Sequence, residues 1–164
     1  MQPSTFIMHQ KLLRKIRITL IFFIIALAIS GITAFAVETE LKWLTSHMSW
    51  LPQQIQDFIQ HISNSITQVN TTFPQMAYGF DWLAFAHLII ALLFIGPLRD
   101  PIKNIWVIEW GMMACVAIIP LAFICGEIRG IPIYWRLIDC SFGVFGIIPL
   151  WMVHRWTKKL TIEN

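Results

Sequence analysis

Five ionisable residues stand inside or beside long apolar stretches of this sequence, and they are the residues best suited to chemistry. They are His87, Glu127, Arg129, Arg136 and Asp139. A titratable group in hydrocarbon is costly unless it turns toward other protein and finds a partner. Two hypotheses follow for this set. It forms a polar pocket for a small polar ligand, an ion or a proton path, or it forms a charge-balanced network that ties helix ends together.

Neighbouring small residues indicate which way two of these groups face. His87 shares a helical face with Ala84, and Asp139 shares one with Gly143. Small residues mark the faces on which transmembrane helices approach closely. We therefore expect both titratable groups to point toward other helices rather than toward lipid. Arg136 lies three residues before Asp139, so these two are expected to pair on one helix.

Glu109 stands apart from this set, because it lies near the opposite, inner end of its apolar stretch. A long basic side chain can keep its charge at the membrane surface while its aliphatic part crosses apolar ground. We therefore expect Arg99 or Lys103 to reach Glu109 in this way.

The three cysteines, Cys115, Cys125 and Cys140, are too few for a disulfide framework or a thiol-rich metal module. Cys125 and Cys140 flank one short polar loop, so they either form a disulfide or serve as buried apolar thiols. We predict no metal site. The one alternative, His87 with Asp139 and a cysteine, lacks a ligand spacing such as Cys-x2-Cys.

The short motifs of soluble enzymes are missing from the sequence. It contains no Walker loop, GxGxxG, Gly-x-Ser-x-Gly, HExxH or CxxC. Nucleotide hydrolysis, serine esterase chemistry, zinc proteolysis and thiol exchange therefore have no local signature, and we expect no cofactor. A membrane enzyme that assembles its site from several helices stays open as an alternative.

The elements that position these residues must lie in a membrane. Of 164 residues, 57% are hydrophobic and 13% are charged, against about 45–50% and about 25% in soluble domains. The mean hydropathy is +0.66. These apolar residues exceed what a core of this size can hide, so most of them face lipid, and a soluble domain is excluded.

Four stretches are long enough to cross a hydrocarbon core of about 30 Å, which takes about 20 helical residues. The predicted spans are about residues 18–37, 82–98, 105–125 and 136–153. Residues 38–81 predict two amphipathic helices separated at Pro52. We expect one all-α domain: an integral membrane four-helix bundle with an amphipathic extracytoplasmic helical segment between spans 1 and 2. The alternative for the first span is a signal peptide cleaved near Ala36.

The basic residues indicate how these spans are oriented. With both termini in the cytoplasm, the outer side holds only Lys42, Arg129 and Arg136. The inner side then holds the other nine of twelve: Lys11, Arg14, Lys15, Arg17, Arg99, Lys103, Arg155, Lys158 and Lys159. This asymmetry follows the positive-inside rule and predicts cytoplasmic N- and C-termini.

The net charge of +3 raises the question of partners. The basic residues sit beside apolar segments rather than on a folded basic face, so anionic lipid head groups are the expected partner and nucleic acid is not. Besides the lipid bilayer, we expect a protein partner or a second copy of the chain.

Residues 80–143 resemble an uncharacterised group of small four-span bacterial inner-membrane proteins. The resemblance rests chiefly on the segments FIGPLRDP, ICGEIRGIP and LIDCSFG. It implies a bacterial origin and a multi-pass inner-membrane location, and it transfers no activity and no catalytic residue.

The sequence thus predicts a small multi-pass membrane protein without enzymatic activity, either an accessory subunit or a minimal ligand- or ion-binding bundle. The alternative is a membrane-embedded enzyme or proton-coupled carrier with a polar site at the outer end of the bundle. An accessory subunit should pair its polar residues internally, whereas an enzyme or carrier needs an accessible cavity at His87 and Asp139.

Overall fold

The backbone of this chain is helical almost throughout. A computed structural model describes residues 3–162, and this range contains seven helices and no strand. The helices are α1 (Pro3–Phe35), α2 (Val37–His47), α3 (Gln53–Thr72), α4 (Pro74–Leu93), α5 (Ile95–Arg99), α6 (Ile105–Ile128) and α7 (Ile133–Ile162). The predicted all-α class is confirmed.

Four helical segments are long and apolar enough to cross a membrane: Ile7–Phe35, Pro74–Arg99, Ile105–Ile128 and Ile133–Ile162. A helix satisfies its backbone hydrogen-bonding groups internally, whereas lipid offers these groups no partner. With four such helices, this chain is a multi-pass membrane protein. The four-helix bundle and the extracytoplasmic placement of residues 38–81 stay predictions.

The helices extend beyond the apolar stretches that mark the predicted spans. α1 begins at Pro3 rather than near residue 18, and α7 ends at Ile162 rather than near residue 153. Charged residues in these extensions are good helix formers. Hydropathy therefore marks the apolar part of a helix and does not mark where the helix itself begins and ends.

The chain divides into two compact units, residues 1–25 with 92–164 and residues 26–91. The first unit has a dry core toward one end of its helices. The side chains that are at most 1% exposed there include Ile16, Leu20, Phe94, Val107, Ile108, Leu150, Val153 and Leu160. These residues come from the first part of α1, the residue before α5, the first part of α6 and the second half of α7.

Glycines bring α6 and α7 into close contact within this unit. A β-carbon on Gly143 would overlap the carbonyl oxygen of Cys115. One on Gly111 would lie 2.7 Å from the ring of Phe94 and 2.9 Å from Leu150. The turn between the two helices contains Gly130 with a φ of 64°, a left-handed conformation that glycine adopts without strain. The two helices therefore form a tight antiparallel hairpin.

The second unit contains another antiparallel hairpin, formed by α2 and α3. Glu38 at the start of α2 accepts hydrogen bonds from Thr67 Oγ1 (3.0 Å) and from Asn70 Nδ2 near the end of α3. Lys42 Nζ lies 2.6 Å from Glu38 Oε1. Pro52 immediately precedes α3, as its position in the sequence predicts.

The hydrogen bonds to Glu38, first from Lys42 and then from Asn70 and Thr67, lower its pKa from 4.5 to about 2. The carboxylate binds its proton less readily in the folded chain than in the unfolded one. Its stabilising effect is therefore complete above pH 4.5 and is lost as the pH falls through about 2.

We expect the Glu38 carboxyl to titrate with a midpoint near pH 2, measured by carbon-13 NMR of the whole chain in detergent micelles. Lys42→Met and Asn70→Ala should each move this midpoint toward 4.5, because each removes a donor that favours the carboxylate. Gln68→Ala removes an exposed side chain from the same α3 helix and should leave the midpoint unchanged. A wild-type midpoint near 4.5 would contradict the Glu38 network.

Candidate functional site

The turn between α6 and α7 holds most of the ionisable residues that the sequence singles out. Arg136 Nη1 lies 2.5 Å from Glu127 Oε2, and Arg136 Nε donates to the carbonyl oxygen of Ile131 at 2.6 Å. The guanidinium also packs over Gly126, where a β-carbon would lie 2.8 Å from Arg136 Cδ. Arg136 thus joins the end of α6, the turn and the start of α7.

The predicted pairing of Arg136 with Asp139 is wrong, because Glu127 is the partner of Arg136. The two residues of the observed pair are nine apart and lie on different helices. The tight turn places them side by side, and the fixed fork of a guanidinium is well satisfied by one carboxylate and one carbonyl. Helical spacing alone cannot predict a partner across a turn.

Asp139 instead lies in a cleft beside this network, where it is half-buried. The cleft has a volume of about 390 Å³. Besides Asp139, its polar lining comes from Arg129, Cys125 and Trp135. The structure thus brings four predicted site residues to one end of the α6–α7 hairpin: Glu127, Arg129, Arg136 and Asp139.

All three cysteines are free thiols in the structure, with Cys125 exposed and Cys140 buried. It therefore contains no disulfide between Cys125 and Cys140. Within residues 3–162, no group of three or more His, Cys, Asp or Glu side chains is placed to hold a metal ion.

His87 belongs to the second unit, on α4, where it is half-buried. Its Nδ1 lies 2.9 Å from the carbonyl oxygen of Leu83, one helical turn earlier. A β-carbon on Gly31 of α1 would lie 3.1 Å from His87 Cβ. His87 is therefore next to a close approach of two helices, as expected from the small residues on its face.

A second ionisable pair joins α6 and α7 near the other end of the hairpin. Glu109 Oε1 lies 2.9 Å from His154 Nε2. The prediction that Arg99 or Lys103 reaches Glu109 is wrong, because the partner of Glu109 is His154 and Lys103 instead pairs with Asp100 at 3.7 Å. His154 is not among the residues singled out from the sequence. The feature of the sequence that could have indicated this pair is that Glu109 and His154 both lie near the inner ends of their predicted spans.

This pair closes one end of an open groove between α6 and α7. The groove, hereafter the α6–α7 groove, has a volume of about 490 Å³. Its remaining lining is apolar and consists of Met112, Met113, Val116, Ala117, Pro120 and Ile147. From Glu109 to Pro120 it follows α6 for eleven residues, roughly 17 Å. The groove is therefore apolar along its length and polar at the end that Glu109 and His154 close.

Pro120 interrupts the backbone hydrogen bonding of α6 beside this groove. Proline has no backbone N–H, so the carbonyl oxygen of Val116, one turn earlier, lacks its usual helical donor. Val116 and Pro120 both line the groove. The helical hydrogen-bond ladder therefore has a gap beside the groove.

No protein-family model, curated protein or solved structure matches this chain. The bacterial origin and inner-membrane location implied by the resemblance stay predictions.

Arg136→Ala should lower the melting temperature in detergent more than Glu127→Ala. Arg136 is 12% exposed and also holds the Ile131 carbonyl, so its loss should cost about 2 kcal/mol. The Glu127 side chain is 77% exposed, and its loss should cost less than about 1 kcal/mol. Asp139→Asn is the matched control and should melt close to wild type. If Asp139→Asn lowered the melting temperature as much as Arg136→Ala does, Asp139 rather than Glu127 would be the partner of Arg136.

Proposed function

We propose that this chain is a multi-pass membrane protein without enzymatic activity that binds an amphiphilic molecule in the α6–α7 groove. The observation that carries this proposal is the Glu109–His154 pair at one end of an otherwise apolar groove. Of the two non-enzymatic roles expected from the sequence, ligand binding is the one that this groove favours.

The dimensions of the groove support a small-molecule occupant. Ligand pockets typically have volumes of about 300–1,000 Å³, apolar walls and a few polar groups that fix orientation. The α6–α7 groove, at about 490 Å³, meets all three criteria. Its open side suits a molecule whose chain stays partly in lipid, so a chain with a polar head could enter from the bilayer.

The polar end restricts the chemistry of the ligand's head group. Glu109 is 47% exposed on its side chain, so its carboxylate can accept a further hydrogen bond. A carboxylate ligand would be repelled by Glu109. A hydroxyl or an ammonium donates to it, so the proposed ligand is a long-chain alcohol or amine.

The principal competing occupant is a transmembrane helix of a partner protein, which is the accessory-subunit role. A partner helix would cover Glu109 and His154 together with more of the surfaces of α6 and α7. A groove of about 490 Å³ that is closed at one end by a single ionisable pair favours the single-chain amphiphile.

The test is photolabelling in membranes with a long-chain alcohol that carries a diazirine and an alkyne. Labelled peptides should map to residues 109–120 and 147–154. Ala117→Trp fills the groove and should lower labelling about tenfold, which corresponds to about 1.4 kcal/mol of lost apolar contact. Ala114→Trp is the matched control, because Ala114 is an exposed alanine on the same helix that does not line the groove.

Two further comparisons define the head-group specificity. The same probe with a carboxylate head should label weakly, and Glu109→Gln should reduce this difference. Equal labelling of the Ala117→Trp and Ala114→Trp variants would refute the groove as the site. Loss of a co-purifying protein in the Ala117→Trp variant, without any labelling of wild type, would support the accessory-subunit role instead.

The alternative role as an enzyme or proton-coupled carrier has one supporting observation. Arg129, Asp139 and Cys125 line one cleft at the turn of the hairpin. Against it, His87 does not line this cleft, and Arg136 and Glu109 are each paired with another side chain.

We also propose that the protein resides in a bacterial inner membrane with both termini in the cytoplasm. Nine of the twelve basic residues support this orientation. They lie before the predicted first span, at the end of α5, in the turn between α5 and α6, or in the last part of α7.

Cysteine labelling of intact cells should establish the orientation. In a background with the three native cysteines replaced by serine, an impermeant maleimide should label Gln60→Cys and miss Lys158→Cys. Both positions are exposed in the structure, so accessibility depends on the side of the membrane. Lysed cells provide the control, because both positions should then react. Labelling of Lys158→Cys in intact cells would overturn the orientation.

A further inference from the structure

The last part of α7 and the first part of α1 form a basic pocket within the first unit. Its volume is about 680 Å³. Its cationic side chains are Lys15 from α1 and Arg155, Lys158 and Lys159 from α7. It is lined by no acidic residue among those that the structure describes. Such a pocket carries a strong positive potential and attracts an anion.

Aromatic side chains position part of this charge. The guanidinium carbon of Arg155 lies 4.8 Å from the centre of the Trp151 ring. This cation–π contact holds the guanidinium beside the ring, and its N–H groups can still donate to anionic oxygens. Trp156 also lines the pocket. Tryptophan is enriched at the level of the lipid head groups, so it indicates the depth of the site.

The length of α7 independently indicates that the pocket lies at the level of the lipid head groups. Its 30 residues span roughly 45 Å, about 15 Å more than a hydrocarbon core of about 30 Å. The charges at its end cannot lie in the core, so the last turns of α7 extend into the head-group region. Leu12, Met152 and Ile162 supply apolar walls beside the basic residues.

We infer that this pocket binds the head group of an anionic phospholipid, with Lys15, Arg155 and Lys158 holding the phosphate and the apolar walls contacting its acyl chains. The site is separate from the α6–α7 groove and does not depend on the amphiphile proposed there. A free phosphate shares the anionic chemistry, but it leaves Leu12, Met152 and Ile162 without a contact. The combination of cations with apolar walls therefore favours the lipid.

The test titrates the whole purified chain in detergent with phosphatidylglycerol, phosphatidylcholine or sodium phosphate, and native mass spectrometry counts the bound molecules. Wild type should bind phosphatidylglycerol at least about tenfold more tightly than phosphatidylcholine. The triple variant Lys15→Gln, Arg155→Gln, Lys158→Gln should lose about fivefold per charge, or about 100-fold in all. The matched control, Lys11→Gln, Arg14→Gln, Arg17→Gln, removes the same charge from exposed α1 positions outside the pocket. It should lose about threefold or less.

All six substituted residues are exposed, so both triple variants should melt like wild type when no lipid is added. Equal losses in the two triple variants would show that only the general basic field attracts lipid and would overturn the site. Equal affinity for sodium phosphate and phosphatidylglycerol would overturn the lipid assignment in favour of a phosphate site. Equal binding of the two lipids would also overturn the inference.

Discussion

Hydrocarbon offers no hydrogen bonds, and this constraint governs both the backbone and the ionisable side chains of the protein. It favours helices for the spans, because only a helix satisfies its own backbone there. It also requires a charged group near the hydrocarbon to find a partner or reach the surface. Arg136 pairs with Glu127 and donates to the carbonyl oxygen of Ile131, and Glu109 pairs with His154. Both pairs join α6 to α7, so the cost of these charges is offset by contacts that hold the hairpin together.

The α6–α7 hairpin also explains how a groove can persist in a small chain. Gly143 packs directly against the backbone of Cys115, while Gly111 leaves room for the ring of Phe94 and the side chain of Leu150. Larger side chains, among them Met112, Met113 and Ile147, line the open groove between the same two helices. Methionine adapts its shape easily, so a groove lined by it can fit chains of different length.

The sequence alone predicts the helical elements, but it does not predict which ionisable side chains pair with one another. Uncharged runs identify the four spans, and Pro52 marks the start of α3, because hydropathy and proline act locally. Helical spacing also places His87 beside a close helix contact, since Ala84 lies on its face. The partners of Arg136 and Glu109 are not local. Glu127 reaches Arg136 only because the turn is tight, and His154 reaches Glu109 across 45 residues of sequence. Helical spacing contains no information about such pairs.

The turn of four residues between α6 and α7, residues 129–132, bears on how the protein is made. A hairpin this tight can enter the membrane as one object, with its turn leading. In the termini-inside orientation that leading tip crosses the whole hydrocarbon layer and carries Glu127, Arg129 and Arg136 with it. If Glu127 and Arg136 pair before entry, two opposite charges cross as one neutral group, which lowers the barrier to translocation. The ion pair that joins the finished helices would then first assist their insertion during biosynthesis.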